Sequence, residues 1–252
     1  MKHCFVFLCV LIYNISHGQE SEIRQLVTHS KFLNEQRILT IYIPGDFNPS
    51  EEYDAIFCSD GQFINEQYKI KLDSLFLIQS IAPFVIIGVN SNETKAPNNY
   101  LEYRNYEYLE SLSGEEELLS SRFRNHLNFF VKEVEDSVAA KLNLKIKNKY
   151  FYGVSNGAAF GISLSKYYPK FFTKYILYSI MGMEYEDLKW NIPNPPFFII
   201  AYGNQESLIE RDNQALSEYL NENGYKHSIR TYDGGHKRED WLTQFIKDIL
   251  QL

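Results

Sequence analysis

Gly153-Val154-Ser155-Asn156-Gly157 is a G-x-S-x-G pattern between an apolar run, 150–154, and the small residues Ala158, Ala159 and Gly161. A serine hydroxyl is a weak nucleophile until a base takes its proton and a third group orients that base. The pattern carries chemistry when it forms a sharp strand-to-helix turn that holds the serine in a strained conformation at the sheet edge. Glycine on either side lets strand and helix approach closely. The same residues could instead make a tight turn whose serine caps a helix. The apolar run before and the helix-like start after favour the nucleophile.

The base must be a histidine brought to the same edge. Without the first 18 residues, four remain: His29, His126, His227 and His236. His236 follows Gly234-Gly235 after the last strand-like run, and the diglycine lets the loop carry the imidazole back over the strand ends. The order serine, acid, histidine then points to an acid after the next-to-last strand. Glu206, in Gly203-Asn204-Gln205-Glu206-Ser207, is the first carboxylate there. Glu210 and Asp212 come later, inside a helical pattern, and Asp233 is too near His236 in sequence to reach Nδ1 easily.

Those residues need a sheet to hold them. Strand patterns cover 37–43, 53–58, 84–89, 150–154, 175–179, 197–202 and 228–232, and the run 84–89 is apolar throughout, as in a central strand buried on both faces. Helical patterns lie between. The clearest begins at Ser113, with Glu116 completing a capping box, and runs to Leu142; others span 208–223 and 241–250. Glu115-Glu116-Glu117 reads as a solvated first turn that suits the helix dipole. Strand–helix alternation over this length predicts an α/β fold: a mostly parallel sheet of about eight strands, flanked by helices, in one domain. The segment 180–194 is too short for a large lid.

Composition narrows the class. The 252 residues are 44% hydrophobic and 23% charged, ample for a packed core. A net charge of −7 speaks against nucleic acid as partner. Three cysteines without a CxxC pair or a Cys/His cluster give no structural zinc or disulfide framework. Residues 1–18 read as an export signal: a basic start, an apolar run from Cys4 to Tyr13, then small Ser16 and Gly18 before a cleavage point. The run is too short to span a bilayer, so the expected product is a secreted or periplasmic domain, 19–252, that keeps only Cys58.

Three segments resemble a known family: Ser59-Asp60-Gly61-Gln62 after an apolar strand, Gly153-Val154-Ser155-Asn156-Gly157, and Gly234-Gly235-His236 with Trp241 close behind. With the 203–207 loop they look like the "putative esterase" family of α/β-hydrolases. It includes enterochelin, feruloyl and acetyl xylan esterases, S-formylglutathione hydrolases and mycolyltransferases. The resemblance runs from about residue 39 to 252. It implies an oxyanion hole made by the backbone N–H groups of Gln62 and Asn156. Two departures stand out: Ala158 replaces a usual glycine, and Lys237-Arg238-Glu239-Asp240 separates His236 from Trp241.

The expected function is a serine carboxylesterase acting through Ser155, His236, Glu206 and an acyl-enzyme. It calls for no metal and no cofactor. The substrate would be a small-molecule or polysaccharide-linked ester: carbohydrate-linked, aromatic (feruloyl-like) or a siderophore. The alternatives are an acyltransferase on the same fold and a non-catalytic binding module. Tyr100, Tyr103 and Arg104, in the long segment 90–114, and Trp190 are the expected substrate contacts, although some tyrosines of that segment would serve only to pack it.

Overall fold

The computed structural model describes residues 19–78, 80–97, 101–114, 119–183, 185 and 188–252. The expected export signal, Tyr100 and Glu116 lie outside them. Eight strands form one sheet: β1 (Glu22–Ser30), β2 (Glu35–Ile43), β3 (Glu52–Ser59), β4 (Phe84–Val89), β5 (Lys145–Val154), β6 (Lys174–Tyr178), β7 (Phe197–Gly203) and β8 (His227–Tyr232). Their order is β1-β2-β4-β3-β5-β6-β7-β8. β2 runs antiparallel to both β1 and β4, and every pairing from β4 through β8 is parallel. This is the α/β-hydrolase arrangement.

β1 has no continuous apolar signature because it is an edge strand. Its charged and polar residues Glu22, Arg24, Gln25 and His29 leave much of it facing solvent, and its place is fixed by pairing with β2 from Glu22↔Ile43 to Ser30↔Glu35. The expected helix from Ser113 to Leu142 is instead two: α3 (Arg122–Lys132) and α4 (Val134–Leu142). Ser113 sits in a 3-10 turn, Glu110–Gly114, so it is not the N-cap of α3. The two helices break at Glu133, whose φ of −121° leaves the helical range.

The remaining helices are α1 (Glu66–Leu77), α2 (Tyr103–Tyr108), α5 (Asn156–Tyr167), α6 (Ser207–Glu222) and α7 (Arg238–Asp248). Strand side chains alternate between two apolar layers. Phe57, Phe151, Tyr175 and Phe198 are register partners on β3, β5, β6 and β7, and they face α3, α4, α5 and α6. Tyr175 and Phe198 stack with ring centres 5.3 Å apart. Ile56, Tyr152, Ile176 and Ile199 face α1 and α7. Each fully buried side chain of this size contributes about 1.5–3 kcal/mol of hydrophobic stabilisation. The sheet centre is therefore firmly packed, and the turns at its carboxyl edge start from fixed strand ends.

Candidate active site

Four turns at the carboxyl ends of β3, β5, β7 and β8 carry the residues of interest, with β6 between β5 and β7. In open parallel sheets this edge is where ligands bind. Ser155 directly follows β5 with φ 55° and ψ −128°, outside the regions a serine ordinarily adopts. Its amide is held by the Tyr178 carbonyl at 2.9 Å, and its own carbonyl accepts from the amides of Ala158 and Ala159 at the start of α5. The strain is thus maintained by hydrogen bonds from both sides. A side chain at Gly157 would lie 2.3 Å from Ser59 Oγ, so only glycine allows the elbow to touch the turn after β3.

The structure brings Ser155, His236 and Glu206 together. His236 Nε2 lies 3.1 Å from Ser155 Oγ, and His236 Nδ1 lies 2.6 Å from Glu206 Oε1. An ionised carboxylate only accepts, so Nδ1 carries the proton and Nε2 is the acceptor facing the serine. Glu206 Oε2 accepts from the Gly203 amide at 2.6 Å and from Ser179 Oγ at 2.8 Å. Burial pushes the Glu206 carboxyl up, but the hydrogen bonds from His236, Gly203 and Ser179 outweigh it and hold the group below its ordinary range. The other carboxylates face elsewhere. Asp233 accepts from Asn204, Glu210 from Gln214, and Asp212 lies beside Arg211.

Two further residues support the triad geometry, and of these only Ser179 carries no obvious sequence signal. Ser179, the last residue of a predicted strand, leaves β6 with φ 49° and accepts from Trp241 Nε1 at 3.0 Å while donating to Glu206. The Trp241 ring stands edge-on to His236, with ring centres 4.7 Å apart and planes 84° apart. The insertion before Trp241 is the first turn of α7, and Asp240 within it accepts from the Gly235 amide at 2.9 Å, bracing the histidine loop.

Gln62 lies in the 3-10 turn Gly61–Phe63, and Asn156 is the first residue of α5. N–H groups in a first helical turn have no acceptor within the helix, and they sit at its positive end. The side chain of Gln62 is occupied elsewhere: its Nε2 donates to Ser91 and Glu93, and its Oε1 accepts from the Ser91 amide. That bracing fixes its backbone.

The expected substrate contacts fare differently. Trp190 is a correction: it is 4% exposed, donates Nε1 to the Ser165 carbonyl at 2.8 Å, and packs on Phe198 and Tyr225. Its indole is a core wedge, with its one donor satisfied. Tyr103 lies under the Arg122 guanidinium, 4.4 Å from its ring centre, within a separate ionic cluster. Tyr106 and Tyr108 are buried and pack the segment onto the domain. Arg104 does reach the site, but through protein groups. Its Nε and Nη2 grip both oxygens of Asp60 at 2.6 and 2.8 Å, and Nη1 donates to Asn156 Oδ1 at 3.3 Å.

The family model described as "Putative esterase" matches residues 30–197. No curated protein matches the chain in sequence. Among solved structures, the fold is similar to a CE1 ferulic acid esterase from Anaeromyces mucronatus, with a TM-score of 0.72 at 11% identity over 93% of this chain and 92% of that one. It is also similar to the enterobactin esterase of Shigella flexneri, with a TM-score of 0.70 at 17% identity over 91% of this chain, which spans only 58% of that protein. A third likeness, to a siderophore hydrolase from Aspergillus nidulans, has a TM-score of 0.66 at 13% identity over 100% of this chain and 99% of that one. The chain belongs to the esterase family of α/β-hydrolases. It is an enzyme that hydrolyses carboxylic esters.

Proposed function

We propose that the protein is a serine esterase in which Ser155 is the nucleophile, His236 the general base and Glu206 the orienting acid. The observation that carries this reading is the continuous chain of contacts, 3.1 Å from Ser155 Oγ to His236 Nε2 and 2.6 Å from His236 Nδ1 to Glu206 Oε1. Ser155 Oγ attacks the ester carbonyl and gives its proton to Nε2. The carbonyl oxygen becomes negative and is held by the amides of Gln62 and Asn156. His236 then donates the proton to the departing alcohol. Water, deprotonated by the same nitrogen, attacks the acyl-enzyme and releases the acid. Glu206 keeps the imidazole in the required tautomer and stabilises the imidazolium. Each oxyanion donor is worth about 2.7–4 kcal/mol of barrier.

The substrate reading follows the similar structures: an aromatic acyl ester or a siderophore ester. Export belongs to the same reading, with residues 1–18 removed and Gln19 at the mature start. Among the described residues no helix is long and apolar enough to cross a membrane. A panel of acetyl, butyryl, feruloyl and trilactone siderophore esters, assayed with the wild type and Ser155→Ala, tests the proposal. The expected outcome is Ser155-dependent hydrolysis of a feruloyl or siderophore ester well above the simple acyl esters. Preference for acetyl or butyryl esters would refute the substrate class, and hydrolysis that survives Ser155→Ala would refute the mechanism.

A further inference from the structure

The two residues offered as oxyanion donors come from different turns, and one guanidinium joins those turns. Arg104, on α2, grips Asp60 with both ends of its fork, at 2.6 and 2.8 Å. Asp60 is two residues before Gln62 and is itself in the left-handed region, with φ 53° and ψ 45°. The third arm of Arg104 reaches Asn156 Oδ1 at 3.3 Å, and Asn156 Nδ2 in turn donates to the Met181 carbonyl at 3.1 Å. The spacing between the amides of Gln62 and Asn156 is therefore spanned by a short chain: the Asp60 turn, the guanidinium and the Asn156 side chain.

The clamp is itself immobilised. Tyr108 OH accepts from the Asp60 amide at 3.0 Å, and the same tyrosine ring lies beneath the guanidinium, 4.8 Å from Arg104 Cζ. The backbone amide of Arg104 donates to the Asn92 carbonyl at 2.9 Å. Asp60 is 1% exposed, so its charge has little water to compete for it. A planar, bidentate fork fixes orientation as well as distance, which a lysine cannot do.

We propose that Arg104 is a positioning residue that sets the separation of the two oxyanion amides, and that its effect is felt in the transition state rather than in substrate binding. The inference rests on the esterase reading above. An oxyanion hole works only if its donors lie at hydrogen-bond distance from the charge that develops, and a small displacement of one of them is costly. Arg104→Lys keeps a positive charge beside Asp60 but cannot hold both of its oxygens and Asn156 together. Asn156→Ala leaves the Arg104–Asp60 pair intact and keeps the Asn156 backbone amide, while removing the third arm together with the Nδ2 bond to the Met181 carbonyl. It also keeps the test alive if Arg104→Lys is insoluble.

Both variants are assayed for kcat and KM, with active sites counted by a fluorophosphonate, and for inhibition by a trifluoromethyl ketone that adds Ser155 and presents an oxyanion. The expected result is a fall in kcat of about 10- to 100-fold, a KM within twofold, and an equal loss of affinity for the ketone. A raised KM with normal kcat would overturn the proposal in favour of direct substrate contact. Normal kcat and ketone affinity per titrated site, with lowered thermal stability only, would overturn it in favour of a purely structural ion pair. A wild-type enzyme that the fluorophosphonate does not label at Ser155 would overturn the esterase reading itself and this inference with it.

Discussion

Among the described residues two histidine–glutamate pairs stand close together, and only one of them is arranged for proton transfer. At the sheet edge, Glu206 accepts from neutral groups, Ser179 and the Gly203 amide, and the partner left to balance its charge is His236. On α2, Glu107 is fully buried and is gripped by two cations, Arg37 at 2.6 and 3.1 Å and Arg122 through Nε at 3.0 Å. His126 Nδ1 is 3.5 Å from Glu107, yet neither of its ring nitrogens has a hydrogen-bond partner among the described residues. Burial, then the nearby charges of Arg37 and Arg122, push the His126 imidazole well below its ordinary range. It is a neutral ring packed among Tyr108, Phe129, Phe130 and Phe160. A carboxylate already neutralised by arginines cannot support an imidazolium, whereas one solvated by N–H and O–H dipoles can.

The sharpest way to break this contrast is to remove the charge of Glu206. Glu206→Gln keeps the shape and loses the tautomer control, and kcat should fall by about 10²–10⁴-fold. Asp212→Asn and Asp233→Asn should stay within about twofold, because neither touches His236. Steady-state rates on one ester, with circular dichroism to confirm folding, decide it. A collapse in either aspartate variant with Glu206→Gln unaffected would move the acid elsewhere.

Glu107→Gln should do the opposite. It leaves two guanidinium groups beside a neutral amide, with Glu35 still paired to both, so stability should fall by at most about 3–5 kcal/mol. The kcat per folded molecule should stay near normal. Urea denaturation together with active-site counting separates the two effects.

The smallest effect concerns pH. His126 is held neutral in the folded chain but binds a proton near pH 6.5 when unfolded, so folding loses stability as pH falls below that value. Between pH 6.5 and pH 5 the loss is at most about 2 kcal/mol, at 1.36 kcal/mol per pH unit. His126→Phe should flatten this part of the profile. Glu206 acts lower: its lowered carboxyl stabilises the fold above the ordinary carboxyl range, and that contribution disappears only as pH drops through the lowered value. Denaturation midpoints at pH 7 and pH 5 for wild type and His126→Phe provide the measurement.

The sequence was most legible where backbone constraint and chemistry coincide. The G-x-S-x-G turn, the diglycine before His236 and the first carboxylate after β7 are local patterns, and the structure puts the three side chains they nominate within hydrogen-bond reach. Central strands such as β4 were legible because burial on both faces leaves an unbroken apolar run. β1 was not, because an edge strand wetted on one side resembles a loop in composition. The break at Glu133 was not, because the apolar spacing continues across it. Trp190 is illegible in sequence because its residue type suggests a ligand contact, while its hydrogen-bond partner Ser165 is far away along the chain. Ser179 has no local signature, because its role depends on a turn that only the assembled sheet creates.

The whole proposed mechanism rests on Ser155 being a nucleophile activated through His236. Its most direct test is covalent labelling of the purified protein with a fluorophosphonate, followed by peptide mass mapping. One label per chain is expected, on the peptide containing Ser155, formed more slowly by about 100-fold or more in His236→Ala. No label, a label on another residue, or labelling of Ser155 at an unchanged rate without His236 would contradict it.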